Sequence, residues 1–389
     1  MSDSAIDRLL ERSVVPSFTS VGPALRRRLL DWRALESYDL SDRVVVLSGG
    51  TSGIGEAAAR LFAGLGATLE IVARDADKCD ALLDELARAS GNTRLGRVVA
   101  DLGRLDRVRE AAATLAERHP RIDVLAHNAG ALFPERRRTE DGTDLAVELM
   151  VSAPFLLTGM LLERLRGGAS IDDGSAAGRT ADGADGPGSR PTERGADDAE
   201  RRLARHDGER EDAVPGSPGN DAARSDPARA EPGRVLTMSS GGMYTEGLEV
   251  ERLEMRDADY RGTAQYARAK RAQVALNEEW AARVPRERIV FHALHPGWVD
   301  TPGINQALPG FSRLLSPLGL LRSAREGADT LVWLAADERA LESSGDFWLD
   351  RERRATHRLE RTRASDTPER RSALWRWCER RTGWTMAAR

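Results

Sequence analysis

Val44-Val45-Val46-Leu47-Ser48-Gly49-Gly50-Thr51-Ser52-Gly53-Ile54-Gly55 is the stretch on which the fold turns. The apolar run Val44 to Leu47 is too short for a helix and suits a strand buried on both faces. Glycines then crowd the chain, and Glu56 to Leu65 reads as a helix. Glycine lets the backbone turn tightly and approach a ligand closely. The free N–H groups and positive dipole end of the following helix favour a phosphate there. Ser48, Gly49, Thr51, Ser52, Gly53, Ile54 and Gly55 are therefore the first candidate ligand-binding residues. A glycine-rich turn alone is weak evidence; its place between strand and helix gives it weight.

Outward from this turn, short strands and helices alternate. Strands are expected at Thr68 to Ala73, Leu95 to Ala100 and Val124 to His127, with helices over Ala81 to Ala89 and Val108 to Glu117. Further strands are expected at Val235 to Met238, Ile289 to Leu294 and Asp346 to Leu349, with helices at Thr263 to Arg283 and Ala324 to Ala336. This order predicts an α/β fold with a doubly wound, parallel, Rossmann-like sheet over residues 41–350. Residues 1–40 carry Ile6, Leu9, Leu10, Leu25, Leu29, Leu30 and Trp32 at helical spacing. They read as a helical arm, either packed on the main domain or, with Arg26, Arg27 and Arg28, touching a membrane surface weakly. Residues 167–233 hold only Ile171, Leu203 and Val214 as large aliphatics. Such a stretch cannot offset its ordering entropy, so it reads as a disordered insertion, with a docking segment as the alternative. Residues 351–389 form a basic tail whose Trp375, Trp377 and Trp384 are expected to cap an apolar surface.

Composition narrows the function. The net charge is −4, which argues against nucleic acid as a partner. Cys79 and Cys378 are the only cysteines, so no disulfide framework is expected. No apolar leader or membrane-spanning run stands out, and the expectation is a soluble, cytoplasmic chain. His292, His295 and Asp300 lack the spacing of a metal site, so no metal is expected.

After the second strand comes Ala73-Arg74-Asp75. A carboxylate at position 73 would bind the ribose 2′-hydroxyl of NAD. Alanine stands there, and the Arg74 guanidinium suits a 2′-phosphate, so NADP(H) is favoured over NAD(H). The alternative is a solvated Arg74 with Asp75 serving NAD. Tyr266 and Lys270 lie four apart on an expected helix and so share a face. A nearby ammonium favours a phenolate and lowers a tyrosine pKa, which equips Tyr266 as acid and base near neutral pH.

Taken together, these residues resemble the short-chain dehydrogenase/reductase family. The glycine turn is similar to its TGxxxGIG motif, with Ser48 for the threonine. Asp101-Leu102 resembles its adenine-contacting pair. His127-Asn128-Ala129-Gly130 resembles its NNAG motif, with His127 as a departure. Pro296-Gly297 with Thr301 resembles the segment beside the nicotinamide. The resemblance implies cofactor contacts from Asp101, Leu102, Asn128, Ala129, Gly130, Pro296, Gly297, Thr301, Tyr266 and Lys270. It also implies a catalytic Ser240, with Ser239 structural. Met150 stands where the family places an asparagine that helps hold a relay water, and a thioether does this poorly. An NADP(H)-dependent oxidoreductase interconverting a carbonyl and an alcohol is expected. A non-catalytic NADP(H)-binding sensor or scaffold is the alternative. Leu132, Phe133, Tyr244, Trp298 and the segment after Pro302 are expected to line an apolar pocket for a lipophilic substrate. Family members pair through the helix after the fourth strand and the Tyr266 helix. The resemblance thus allows a homodimer, but the insertion follows the first of these helices and could block a partner, so the oligomeric state stays open.

Overall fold

The computed structural model describes residues 17–165, 231–301 and 319–387, with positions 310, 313, 315 and 316 between them. Most of the insertion, residues 166–230, lies outside the described residues, as do residues 1–16 and the segment from Pro302 to Pro309. One sheet contains β1 (Val44–Ser48), β2 (Thr68–Ala73), β3 (Leu95–Val99), β4 (Val124–His127), β5 (Gly233–Met238), β6 (Ile289–Leu294), β7 (Phe347–Leu349) and β8 (Glu352–Arg354). Their order is β3-β2-β1-β4-β5-β6-β7-β8, and only the β7–β8 pairing is antiparallel. The winding reverses between β1 and β4, the switch point at which such sheets open a crevice beyond their carboxyl ends. Gly233, assigned by composition to the insertion, is the first residue of β5.

The longer helices among the described residues are α1 (Val21–Leu29), α2 (Gly53–Gly64), α3 (Ala76–Ser90), α4 (Leu105–Arg118), α5 (Ala153–Met160), α6 (Gly262–Arg283), α7 (Ala324–Ala336), α8 (Glu360–Ser365) and α9 (Pro368–Thr382). Leu47, Leu69, Ile71 and Leu236 point to one side of the sheet, against Phe62 of α2 and Trp333 of α7. Val46, Val72, Leu125 and Val235 point to the other, against Val108 of α4, Phe155 of α5 and Ala272 of α6. Both faces are covered, which is why the strands read as continuous apolar runs. Cys79 and Cys378 are both buried and unbridged. Among the described residues, no helix is long and apolar enough to cross a membrane.

Two parts of the chain differ from the sequence reading. Arg351, the expected start of the tail, is the second central residue of a tight hairpin from β7 to β8. Asp350 and Arg351 both adopt left-handed backbone (φ 53° and 57°), the geometry of a two-residue primed turn in which glycine or asparagine is usual. Buried ion pairs hold both residues there. The Asp350 carboxylate accepts from Arg26 at 2.5 Å and from Arg322 at 2.5 and 3.0 Å. Arg351 pairs with Asp329 at 2.6 and 2.8 Å. Arg26 thereby faces the interior, so the basic run on α1 leaves only Arg27 and Arg28 exposed.

Candidate active site

The glycine turn leaves β1 at Ser48. Gly49 and Gly53 take positive φ, at 70° and 56°. A Cβ on Gly49 would lie 2.8 Å from Ala129 Cα, and one on Gly55 would lie 2.0 Å from the Gly49 carbonyl oxygen. The turn is therefore closed against β4 to a distance only glycine permits, and the residues present fit a pyrophosphate at the start of α2. Asn128 locks the arrangement by donating from Nδ2 to the carbonyls of Ser48 (3.2 Å) and Gly49 (2.9 Å). The Ser48 hydroxyl accepts the N–H groups of Asn128 and Ala129, both at 3.1 Å. Buried and so engaged, Ser48 ties β1 to β4 rather than facing the crevice. Thr51 is half-buried, Ser52 is exposed and Ile54 packs against the apolar core, while Thr301 reaches over the turn: a Cβ on Gly53 would lie 3.3 Å from Thr301 Cγ2.

Thr301 is carried there by Pro296 and Gly297. Gly297 has φ 83°, and a Cβ on it would collide with the Arg322 guanidinium. Arg322 also donates to the Pro296 carbonyl at 3.3 Å, so the Arg26–Asp350–Arg322 cluster supports this loop from beneath. Beside the turn, Arg74 is exposed. Asp75 caps α3 by accepting from the Lys78 N–H at 3.1 Å and pairs with the Lys78 ammonium at 3.2 Å. Asp101 is exposed and accepts the Gly103 N–H at 2.9 Å, and Leu102 is buried.

The helix α6 brings Tyr266 and Lys270 to the carboxyl end of β5, next to Ser240. Ser240 is half-buried, and its hydroxyl accepts the Gly242 N–H at 3.2 Å. Ser239 is buried and donates to the Lys270 carbonyl at 3.1 Å. Lys270 Nζ lies 5.4 Å from the centre of the Tyr266 ring and donates to the Met238 carbonyl at 2.7 Å. A Cβ on Gly130 would come within 3.3 Å of both Lys270 Nζ and Met150 Sδ. The glycine turn, Ala129, Gly130, Lys270, Tyr266 and Ser240 thus form one continuous wall.

The electrostatics differ from the expectation that Lys270 lowers the tyrosine pKa. Burial raises the Tyr266 phenol above its ordinary value, and hydrogen bonding with Ser240 opposes it in part. Tyr266 as a whole is half-buried. Burial also pulls Lys270 down from 10.5 to about 7. Desolvation drives this fall, and among the described residues no charged partner offsets it.

Met150 is fully buried in a π-turn, Glu148–Ser152, that precedes α5. Behind it lies a cavity of about 20 Å³ lined by His127, Met150, Thr158, Thr237 and Gln273, which is room for one water. His127 shares a hydrogen bond with Thr158 at 2.7 Å, and burial takes its pKa to about 3. His127 is accordingly a neutral structural histidine. His292 is held between Ala340 and Trp348, and His295 accepts the Gly297 N–H at 3.2 Å. Among the described residues, no cluster suited to a metal ion is present.

Leu132, Phe133 and Trp298 are half-buried. Tyr244 instead faces inward, its hydroxyl donating to the Ala355 carbonyl at 2.8 Å. The segment after Pro302 lies outside the described residues up to Gly310. The long connection from Ser240 to Tyr266 is pinned by residues that carry no motif. Gln265 accepts the Met255 N–H at 2.7 Å and donates to the Leu253 carbonyl at 2.9 Å, while Tyr260 donates to the Phe133 carbonyl at 3.1 Å.

The short chain dehydrogenase family model matches residues 43–181. Human "Dehydrogenase/reductase SDR family member 12" is 31% identical over 327 residues, covering 84% of this chain and 82% of that protein. Human "Retinol dehydrogenase 13" is 23% identical over 312 residues, covering 79% of this chain and 76% of that protein. The fold is shared with the Pseudomonas aeruginosa RhlG/NADP active-site complex, at TM-score 0.52 and 21% identity over 79% of this chain and 94% of that one. The chain belongs to the short-chain dehydrogenase/reductase family of oxidoreductases.

Proposed function

We propose that the chain is an NADP(H)-dependent reductase or dehydrogenase that interconverts a carbonyl and an alcohol. The observation that carries this reading is the meeting of the Ser240 hydroxyl, the Tyr266 phenol and the Lys270 ammonium on the wall that continues into the glycine turn. Ser240 donates to the substrate oxygen and stabilises negative charge developing on it. Tyr266, kept protonated by burial, delivers the proton to that oxygen in the reductive direction. Lys270, when charged, favours the phenolate that remains and binds the nicotinamide ribose. The nicotinamide, when bound, supplies the hydride.

Gly49, Thr51, Ser52, Gly53, Ile54 and Gly55 would hold the pyrophosphate. Asp101, Leu102, Asn128, Ala129, Gly130, Pro296, Gly297 and Thr301 would border the rest. The exposed Arg74 favours NADP(H), because Asp75, its rival for the ribose, is occupied in capping α3. The NADP in the RhlG complex and the name of the retinol dehydrogenase relative support this cofactor and a lipophilic substrate.

Replacing Tyr266 by phenylalanine tests the reading. Tyr266→Phe abolishes NADPH-dependent reduction while NADPH still binds; undiminished turnover would refute the assignment. The buried Met150 thioether favours a second reading, a non-catalytic NADP(H)-binding protein, because it offers a relay water no good acceptor. That reading predicts NADPH binding without turnover of any aldehyde, ketone or alcohol in a broad panel.

A further inference from the structure

Behind the wall that holds Ser240 lies a second layer, and the chain ahead of α1 supplies it. Phe18 is buried there, and its ring meets His295 edge to face, with ring centres 4.4 Å apart and planes at 88°. The Trp298 ring lies 5.8 Å from the same side chain. The Phe18 carbonyl accepts the Trp298 N–H at 2.7 Å and Arg322 Nε at 3.1 Å. Trp298 and Arg322 are themselves paired: the Trp298 carbonyl accepts the Arg322 N–H at 2.7 Å, and the Arg322 carbonyl accepts the Asp300 N–H at 2.8 Å. Thr301, which reaches over the glycine turn, comes next in the chain. Ser20 holds the returning strand of this loop, its N–H donating to the Leu320 carbonyl at 3.0 Å and its hydroxyl to the Gly319 carbonyl at 2.8 Å.

The Phe18 ring also touches the other side of the crevice. A Cβ on Gly241, the residue after Ser240, would lie 3.0 Å from Phe18 Cε2 and 2.8 Å from His295 Nε2. The Ser240 turn therefore rests directly on both rings, too close for any side chain to intervene. Because His295 Nδ1 accepts the Gly297 N–H and burial keeps the imidazole neutral, the ring proton is on Nε2. That N–H is buried without a hydrogen-bond partner among the described residues, and an adjoining aromatic ring is a weak substitute for one. We infer that Phe18 is a positioning residue of the active site. It fixes the spacing between the Ser240 turn and residues 296–301, so that cofactor affinity and turnover depend on a side chain outside the sheet. The inference rests on the oxidoreductase reading above. Simple core packing by Phe18 would instead affect stability alone.

The test compares the full native chain with Phe18→Ala, Phe18→Leu and a control, Leu35→Ala. Leu35 is as buried as Phe18 but packs against the core around α2 and α7. NADPH affinity is read by fluorescence titration, and kcat and KM from the reduction of benzaldehyde and then of the wider panel above. Circular dichroism establishes that each variant is folded at the assay temperature. Since a displacement of about 1 Å can cost about a hundredfold in rate, Phe18→Ala is expected to lower kcat about 10- to 100-fold and weaken NADPH about 5- to 20-fold. Carbonyl KM should change less. Phe18→Leu, which keeps apolar bulk but no ring, should lose about three- to fivefold in each. Leu35→Ala should lose thermal stability yet stay within about twofold of the native chain in both. A Phe18→Ala chain that matches Leu35→Ala in affinity and kcat overturns the inference. Should Phe18→Ala fail to fold, a Phe18→Leu chain indistinguishable from the native one overturns it equally. A native chain that binds NADPH but reduces no carbonyl sinks the proposed activity, and the affinity comparison still decides the role of Phe18.

Discussion

Replacing Lys270 by methionine tests whether the catalytic lysine is held at a cost to the fold. Methionine keeps the unbranched length and packing while removing the charge. Burial takes Lys270 from 10.5 to about 7. At about 1.4 kcal/mol for each factor of ten, this fall corresponds to roughly 4–5 kcal/mol of charge burial at pH 7. Against it stands the bond to the Met238 carbonyl, whose acceptor would be left alone at a cost of about 1–3 kcal/mol. Lys270→Met is therefore expected to be more stable than the native chain by about 2 kcal/mol at pH 7, while losing turnover. The sign follows from proton linkage. Between pH 7 and 10.5 the unfolded chain binds the Lys270 proton and the folded chain does not, so native stability gains with pH what the variant cannot. The gap should shrink by roughly 2 kcal/mol between pH 7 and 9. Urea unfolding of both proteins, followed by tryptophan fluorescence at pH 7, 8 and 9, measures it. Groups common to both proteins cancel in the difference. A gap that does not change with pH, or a variant less stable at pH 7, would refute the reasoning.

Three further outcomes are expected. Arg74→Ala should weaken NADPH binding by about 5- to 30-fold, from about 1–2 kcal/mol of charge-assisted contact at an exposed site, and leave NADH binding unchanged in fluorescence titration; equal losses for both would remove Arg74 from selectivity. Asp350→Asn should cost about 3–5 kcal/mol in thermal or urea unfolding, because Arg26 and Arg322 lose their shared counter-charge in the interior; a loss below about 1 kcal/mol would contradict this. Because burial raises the Tyr266 phenol above its ordinary value, alcohol oxidation, which needs the phenolate, should rise with pH between about 6 and 9. An oxidation rate that stays level over that range would show another group to be the base.

Much of the architecture was legible because it rests on short-range regularities. The runs at Val44, Thr68, Val124 and Ile289 are continuous because both faces of the sheet are covered, and the structure places strands at each. The Tyr266–Lys270 spacing put both side chains on one face of α6, where they meet Ser240. The turn into β8 was not legible: Asp350-Arg351 contains no glycine, and its left-handed backbone is sustained by ion pairs with Arg26, Arg322 and Asp329, far away in the chain. Tyr244 was assigned to the substrate pocket from its neighbourhood in sequence, but Ala355 claims its hydroxyl.

Spacing and residue type settle which groups are available: a glycine turn that admits a phosphate, a phenol and an amine one helical turn apart, an arginine where an acid could have stood. They are local properties, carried by a few consecutive residues. Folding alone decided the charge on those groups and the company they keep. Burial sets Lys270 near neutrality and raises Tyr266, the tail closes over α5 and α6, and Arg26 is drawn into the core. Desolvation and long-range pairing depend on what lies within a few ångströms in space, and no stretch of sequence contains that list.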